Sequence, residues 1–272
     1  MIGQKELIKH IDSLIDAGIF PKFSIVVGQQ GSGKTLVVDH ICDKLNGIKL
    51  VFGKTVEDVR NAIEECYRLQ SDCVVCVFDN VDTMSLSAKN ALLKIVEEPP
   101  KNVRFIMTLT DINNTLETIQ SRAQIFTMQP YTPTEIGEYA QKYKFNSAEM
   151  GVIADLCEVP GEVDRVHDYG VIAFDEFIQT VVDNVAEVSG ANCFKIGNRI
   201  NFKEDATLYD LQIFFKAFIS ECCRRLHIDV PRYSDGIKIT SKALQTLRVN
   251  GIVKQNLFDI WLLDIRKAWM TE

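Results

Sequence analysis

A glycine-rich turn carries the residues with the clearest chemical potential in this sequence. It reads Gly28-Gln29-Gln30-Gly31-Ser32-Gly33-Lys34-Thr35 and lies between the apolar run 25–27 and a helical pattern. Glycines let consecutive backbone N–H groups curl around phosphate oxygens, and the helix that follows points the positive end of its dipole at the same anion. In such a loop Lys34 reaches the β- and γ-phosphates, and the Thr35 hydroxyl binds Mg²⁺. The spacing predicts a Walker A phosphate loop, and an accidental glycine turn is the alternative.

A carboxylate that holds Mg²⁺ through its waters usually ends an apolar strand in such proteins. Asp79 directly follows the apolar run 73–78 and is therefore the Walker B candidate. The next residue is Asn80, whose amide orients water but cannot accept a proton near pH 7. The reach of Asp82 is open at this stage. The pattern predicts nucleotide binding and leaves hydrolysis by this chain in question, with a solvated turn after a strand as the alternative.

Composition bounds the class of protein. The 272 residues are 46% hydrophobic, carry a formal net charge of −7 and contain no long apolar run, so we expect no membrane span. The first residues lack the apolar stretch of a signal peptide, and we expect a cytoplasmic protein. An acidic chain does not hold nucleic acid by general charge attraction, so any contact with DNA must be local or shared with partner chains.

Eight cysteines show no disulfide framework. Cys73-x-x-Cys76 invites a zinc or redox interpretation, but it lies inside an apolar run that a buried parallel strand explains better.

Alternating apolar runs and helical patterns predict an α/β fold up to about residue 129. The strand candidates are 23–27, 50–52, 73–78, 105–110 and 125–128, and together they form a doubly wound parallel sheet of the P-loop NTPase type. From there the helical period dominates, with helices over 135–143, 147–157, from 162, and over 173–188, 207–226, 240–249 and 252–269. We therefore expect a nucleotide-binding domain at 1–129, a small helical domain at 130–172 and an all-α domain at 173–272.

Four motifs resemble one family closely. They are Asp79-Asn80-Val81-Asp82-Thr83-Met84, the run 88–94 (AKNALLK), Glu97-Glu98-Pro99-Pro100 and the run 118–124 (TIQSRAQ). This set is similar to the AAA+ subunits of sliding-clamp loaders, namely bacterial DNA polymerase III gamma/tau and delta-prime and replication factor C. The resemblance covers about residues 1–130, and the helical remainder agrees in layout with the family's lid and collar.

The resemblance implies roles for individual residues. Arg122 corresponds to the arginine that reaches the neighbouring subunit's nucleotide as a trans finger, and Thr110 corresponds to sensor 1. Asp164 occupies the sensor 2 position, so Arg165 is the candidate for that phosphate contact. The alternatives are a surface arginine for Arg122, a buried strand threonine for Thr110 and an exposed helix charge for Arg165. ATP and Mg²⁺ are the implied cofactors.

Asn80, Asp164 and the missing zinc module favour a subunit similar to delta-prime, although the phosphate loop is intact. The implied partners are other clamp-loader subunits in a ring, the sliding clamp and primer–template DNA. Two functions remain open at this stage. One is an ATP-hydrolysing subunit that helps load the clamp during replication, and the other is a nucleotide-binding scaffold that hydrolyses little and donates Arg122 to its neighbour. A third possibility, a small-molecule P-loop kinase, is disfavoured by the helical final third.

Overall fold

The chain folds into two compact units, Met1–Tyr131 and Thr132–Glu272. The computed structural model describes residues 2–69, 71–97, 99–186, 207–247 and 252–270. The expected border near residue 129 and the further division of the helical part at residue 172 stay predictions.

The first unit alternates helices and strands along its length. Its elements are α1 Lys5–Asp16, β1 Phe23–Val27, α2 Lys34–Lys44, β2 Ile48–Phe52, α3 Val56–Arg68, β3 Val74–Phe78, α4 Leu86–Glu97, β4 Val103–Leu109, α5 Glu117–Gln120 and β5 Gln124–Thr127. In the described part of the chain five strands pair in parallel, in the order β2-β3-β4-β1-β5. The predicted doubly wound sheet is confirmed.

Helices cover both faces of this sheet. One core packs α3 and α4 against one face, and the other packs α1 and α2 against the opposite face. All five residues of β1 and all five of β3 are buried. Burial on both faces explains why these strands are continuous apolar runs rather than alternating ones.

The two cysteines of Cys73-x-x-Cys76 differ in burial, since Cys73 is only half-buried. Cys76 lies within β3 and is fully buried, and its Sγ is 2.9 Å from Sγ of Cys66 on α3. Among the described residues no group of three or more histidine, cysteine or acidic side chains is placed to hold a metal ion.

The register of the sheet places three strand ends side by side. Phe78 at the end of β3 lies opposite Met107 of β4, and Val27 at the end of β1 lies opposite Leu109. Residues that follow these strands therefore meet at the carboxyl edge of the sheet, where parallel α/β folds bind ligands.

The second unit is helical in all its described parts. Its helices are α6 Pro133–Ala140, α7 Ser147–Leu156, α8 Pro160–Tyr169, α9 Val171–Asn184, α10 Leu208–Arg225, α11 Val230–Thr246 and α12 Lys254–Trp269. The prediction that a helix begins at 240 was wrong, because α11 begins at Val230. Asp229 caps it by accepting from the backbone N–H of Arg232, and a proline in the first turn is compatible with a helix. The predicted helix ends at 188 and 249 lie outside the described residues.

Within the described ranges, each helix is too short or too polar to cross a membrane.

Candidate nucleotide site

The loop between β1 and α2 has the backbone conformation that a phosphate loop needs. Gly28 donates its N–H to the Leu109 carbonyl over 3.0 Å, which ties the start of the loop to β4. Gly31 and Gly33 have φ angles of 79° and 90°, a region that side chains with a Cβ rarely adopt. Helix α2 begins at Lys34, so its first backbone N–H groups face the loop without acceptors inside the helix.

Gly28 lies where the loop packs most tightly. A Cβ at this position would be 2.5 Å from Cγ of Met128 and 2.9 Å from Oγ of Ser32. Residue 28 is therefore a glycine because there is no room for a side chain.

Lys34 turns its ammonium group back over the loop. Nζ donates to the carbonyl oxygens of Gly28 over 2.8 Å and Gln29 over 2.9 Å. Burial lowers the pKa of Lys34, and the nearby carboxylates of Asp82 and Asp79 oppose that shift. The cation is thus held at the position from which it can meet a phosphate group.

Ser32 supplies the observation that favours a ligand most directly. The residue is 3% exposed, and its buried Oγ has no hydrogen-bond partner among the residues that the structure describes. A buried hydroxyl without a partner is costly, and a phosphate oxygen or a water would satisfy it. The backbone carbonyl of Ser32, by contrast, accepts a 2.7 Å hydrogen bond from the Tyr131 hydroxyl. Thr35 is exposed in the first turn of α2. These groups fit a triphosphate with Mg²⁺.

Asp79 directly follows β3 and is exposed. Its Oδ1 accepts a 2.5 Å hydrogen bond from the Thr108 hydroxyl of β4. Asn80 follows in the left-handed conformation with φ 52°, and its N–H donates to the same Thr108 oxygen over 2.7 Å. Asp79 and Asn80, the Walker B candidates, are therefore both held by Thr108, which the sequence analysis did not identify.

Thr110 and Asp82 form a second connection between β3 and β4. The Thr110 backbone N–H and hydroxyl donate to the two carboxylate oxygens of Asp82 over 2.8 and 2.7 Å. Asn114 Nδ2 adds a third bond over 2.9 Å. Burial alone would raise the pKa of Asp82, but the hydrogen bonds from Asn114 and Thr110 outweigh it, and the pKa is lowered. Asp82 lies close enough to Lys34 to interact with its charge, and both of its carboxylate oxygens accept hydrogen bonds from the segment after β4.

Arg122 lies just after α5 and is 40% exposed. One guanidinium nitrogen is 3.1 Å from Oε1 of Glu97, and another donates to the Thr118 carbonyl over 2.8 Å. Its charge is held on the surface of the first unit.

Arg165 belongs to the second unit and forms a different contact. Nε and Nη2 donate to the two oxygens of Asp210 on α10 over 2.7 and 2.8 Å, and Asp210 is 1% exposed. Asp164 accepts from the hydroxyls of Tyr139 and Tyr143, each over 2.8 Å. The structure thus brings together the candidates at 28–35, 79–80 and 110 in one unit and places Arg165 in the other.

The strand order, the loop after β1 and the acidic residue after β3 define a P-loop NTPase of the AAA+ type. A DNA polymerase III gamma subunit-related protein of Thermotoga maritima has the same fold, with a TM-score of 0.58 over 97% of this chain and 99% of that one, at 12% identity.

Sequence comparison shows which proteins this chain is similar to. Residues 53–132 match the family described as DNA polymerase III, delta subunit. DNA polymerase III subunit gamma of Buchnera aphidicola (subspecies Schizaphis graminum) is 29% identical over 57% of this chain and 53% of its own length. Replication factor C subunit 3 of Schizosaccharomyces pombe is 28% identical over 50% of this chain and 43% of its own. The chain spans about half the length of these curated relatives. The predicted relationship to clamp-loader AAA+ subunits is confirmed.

Proposed function

We propose that this chain binds ATP with Mg²⁺ as one subunit of a sliding-clamp loader. Its proposed partners are other subunits in a ring, the clamp and primer–template DNA. The observation that carries nucleotide binding is the buried, unpartnered Ser32 hydroxyl inside a loop whose residue 28 has no room for a side chain. The assignment to a clamp loader rests on the sequence relationship.

The roles follow from the position of each group. The phosphates would be held by three sets of groups, namely the N–H groups at the start of α2, the Ser32 hydroxyl and the Lys34 ammonium. Thr35 would bind Mg²⁺ directly, and Asp79 would hold it through waters. The metal, when bound, neutralises charge on the phosphates.

A binding titration tests the proposal. A fluorescent ATP analogue with Mg²⁺ should bind the purified chain, and Lys34→Ala should weaken binding about 10–100-fold, because a hydrogen bond to a charged group is lost. Lys101→Ala removes an exposed lysine of the same unit and should leave the affinity unchanged. Failure of the unaltered chain to bind ATP, alone and with companion clamp-loader subunits, would overturn the proposal.

Two observations favour weak hydrolysis by this chain. Asn80 occupies the position after Asp79, and the oxygens of Asp82 accept from Thr110 and Asn114. A steady-state ATPase assay separates the two functions. If the unaltered chain hydrolyses ATP slowly and Asn80→Glu raises the rate strongly, the scaffold function is supported. If the unaltered chain hydrolyses ATP rapidly and Asn80→Glu does not raise the rate, the hydrolysing function is supported.

Arg122 is proposed to act on the nucleotide of a neighbouring subunit. Its surface position beside Glu97 suits a group presented to another chain, and a guanidinium matches phosphate oxygens. Arg122→Ala should leave this chain's ATP affinity unchanged while lowering turnover of the assembled complex about 10³-fold. Arg60→Ala, at another exposed arginine of the first unit, is the matched control. A loss of this chain's own ATP binding in Arg122→Ala would contradict a role in trans.

Arg165 remains a proposed nucleotide contact, and its pair with Asp210 would have to open for that role. If it contacts the γ-phosphate, Arg165→Ala should reduce the preference for ATP over ADP. An unchanged preference with a lower melting temperature would assign it to the Asp210 pair alone.

A further inference from the structure

We propose that Thr108 is a positioning residue that orients the Asp79 carboxylate for the metal ion, an inference that rests on the proposed nucleotide function. The hydroxyl lies 2.5 Å from Oδ1 of Asp79 and 2.7 Å from the backbone nitrogen of Asn80. It touches the carboxylate and the turn that follows it.

The direction of both hydrogen bonds is determined by the chemistry of the groups. A hydroxyl has one proton to donate, and the Asn80 N–H can only donate. The Thr108 oxygen therefore accepts from Asn80, and its single proton must go to Asp79. Thr108 is fully buried, so its hydroxyl is shielded from water and has these two groups as its hydrogen-bond partners.

This arrangement leaves the two oxygens of Asp79 unequal. Oδ1 accepts from Thr108, which fixes the plane of the carboxylate, while the residue as a whole is exposed. Oδ2 would then be the oxygen available to the water shell of a bound cation. The same hydroxyl anchors Asn80 in its left-handed conformation, an uncommon one for a residue with a side chain. One threonine thus positions both Walker B residues.

The test compares magnesium dependence with nucleotide affinity in the full chain. In Thr108→Val the Mg²⁺ concentration that gives half-maximal binding of a fluorescent ATP analogue should rise about tenfold, because the carboxylate loses its orienting donor. Affinity measured in EDTA should stay within about twofold. Thr108→Ser keeps the hydroxyl and should restore the magnesium dependence to within about threefold of the unaltered chain.

Thr115→Val is the matched control, because Thr115 is also a buried threonine of the first unit and its Oγ1 has no hydrogen-bond partner in the described part of the chain. It should not change the magnesium dependence. If Thr108→Val does not fold, Thr108→Cys keeps a side chain of similar size with a weaker donor, and it should give a smaller shift in the same direction.

A second measurement needs no nucleotide. Amide hydrogen exchange at Asn80 should accelerate about tenfold in Thr108→Val and remain close to normal in Thr108→Ser, because the N–H loses its acceptor only in the first variant. An unchanged magnesium dependence in Thr108→Val, or equal losses with and without Mg²⁺, would overturn the positioning role. So would unchanged exchange at Asn80. Absence of ATP binding by the unaltered chain would instead refute the proposed function, and the exchange measurement would still decide the contact.

Discussion

The substitution Gly28→Ala tests the packing of the phosphate loop directly. The added Cβ would lie 2.5 Å from Cγ and 2.7 Å from Cβ of Met128, and 2.9 Å from Oγ of Ser32. The serine can rotate, but the Met128 Cβ is fixed to the backbone just after β5, and Met128 is buried. Relief therefore requires the loop or the segment after β5 to move.

The expected cost follows from these contacts. Overpacking a filled site by one methyl group costs about 1–3 kcal/mol. A gain of about 0.4–1 kcal/mol from the less flexible unfolded chain offsets part of it. For a unit of this size each kcal/mol lowers the melting temperature by roughly 3–5 °C. ATP affinity should fall at the same time, because the displaced segment carries the N–H groups that face the phosphates.

Thermal unfolding by circular dichroism and titration with the fluorescent ATP analogue measure both effects. Gly151→Ala is the control, because a Cβ there meets nothing within 4 Å and the residue lies inside α7. It should stabilise the protein by up to about 1 kcal/mol through helix propensity. A Gly28→Ala protein with unchanged melting temperature and unchanged ATP affinity would refute the packing described for the loop.

Three further changes test the helical unit. Burial acts to raise the pKa of Asp210, but the hydrogen bonds from Arg165 outweigh it and the pKa is lowered. Asp210→Asn should therefore destabilise the protein at pH 7, and the loss should shrink as the pH falls below about 4. Thermal unfolding measured across this pH range tests the expectation. Gly236→Ala would place a Cβ 2.9 Å from the Trp269 ring and should cost about 1–3 kcal/mol in urea unfolding, and an unchanged stability would contradict tight packing at this position. Asn146→Ala removes the cap of α7 and should cost about 1 kcal/mol in the same assay, a value near zero arguing against the cap.

Local sequence determined the parts of this protein whose physics is confined to a few neighbouring residues. The phosphate loop is one of them, because its glycines, its lysine and the helix start all lie within residues 28–35. The strands β1 and β3 could be predicted from the sequence, because a strand buried on both faces is an unbroken apolar run. The capping box of α6 is equally local, because Thr132 and Glu135 lie three positions apart and accept from each other's backbone N–H.

The start of helix α11 was not predicted correctly from the local sequence pattern. The apolar pattern predicted a start at 240, but Asp229 caps the helix and Pro231 lies in its first turn. A proline read without its capping partner suggests a break, whereas at the first positions of a helix its missing N–H costs nothing.

Only the tertiary structure decided which polar groups meet. Thr108 bonds to Asp79 from 29 positions away, and Thr110 bonds to Asp82 from 28 positions away. For Thr108 the sequence showed only a threonine inside an apolar strand, which equally suits a buried strand residue. The parallel register of β3 and β4 makes these pairs, since it sets which strand ends lie side by side, and no spacing along the chain encodes that register.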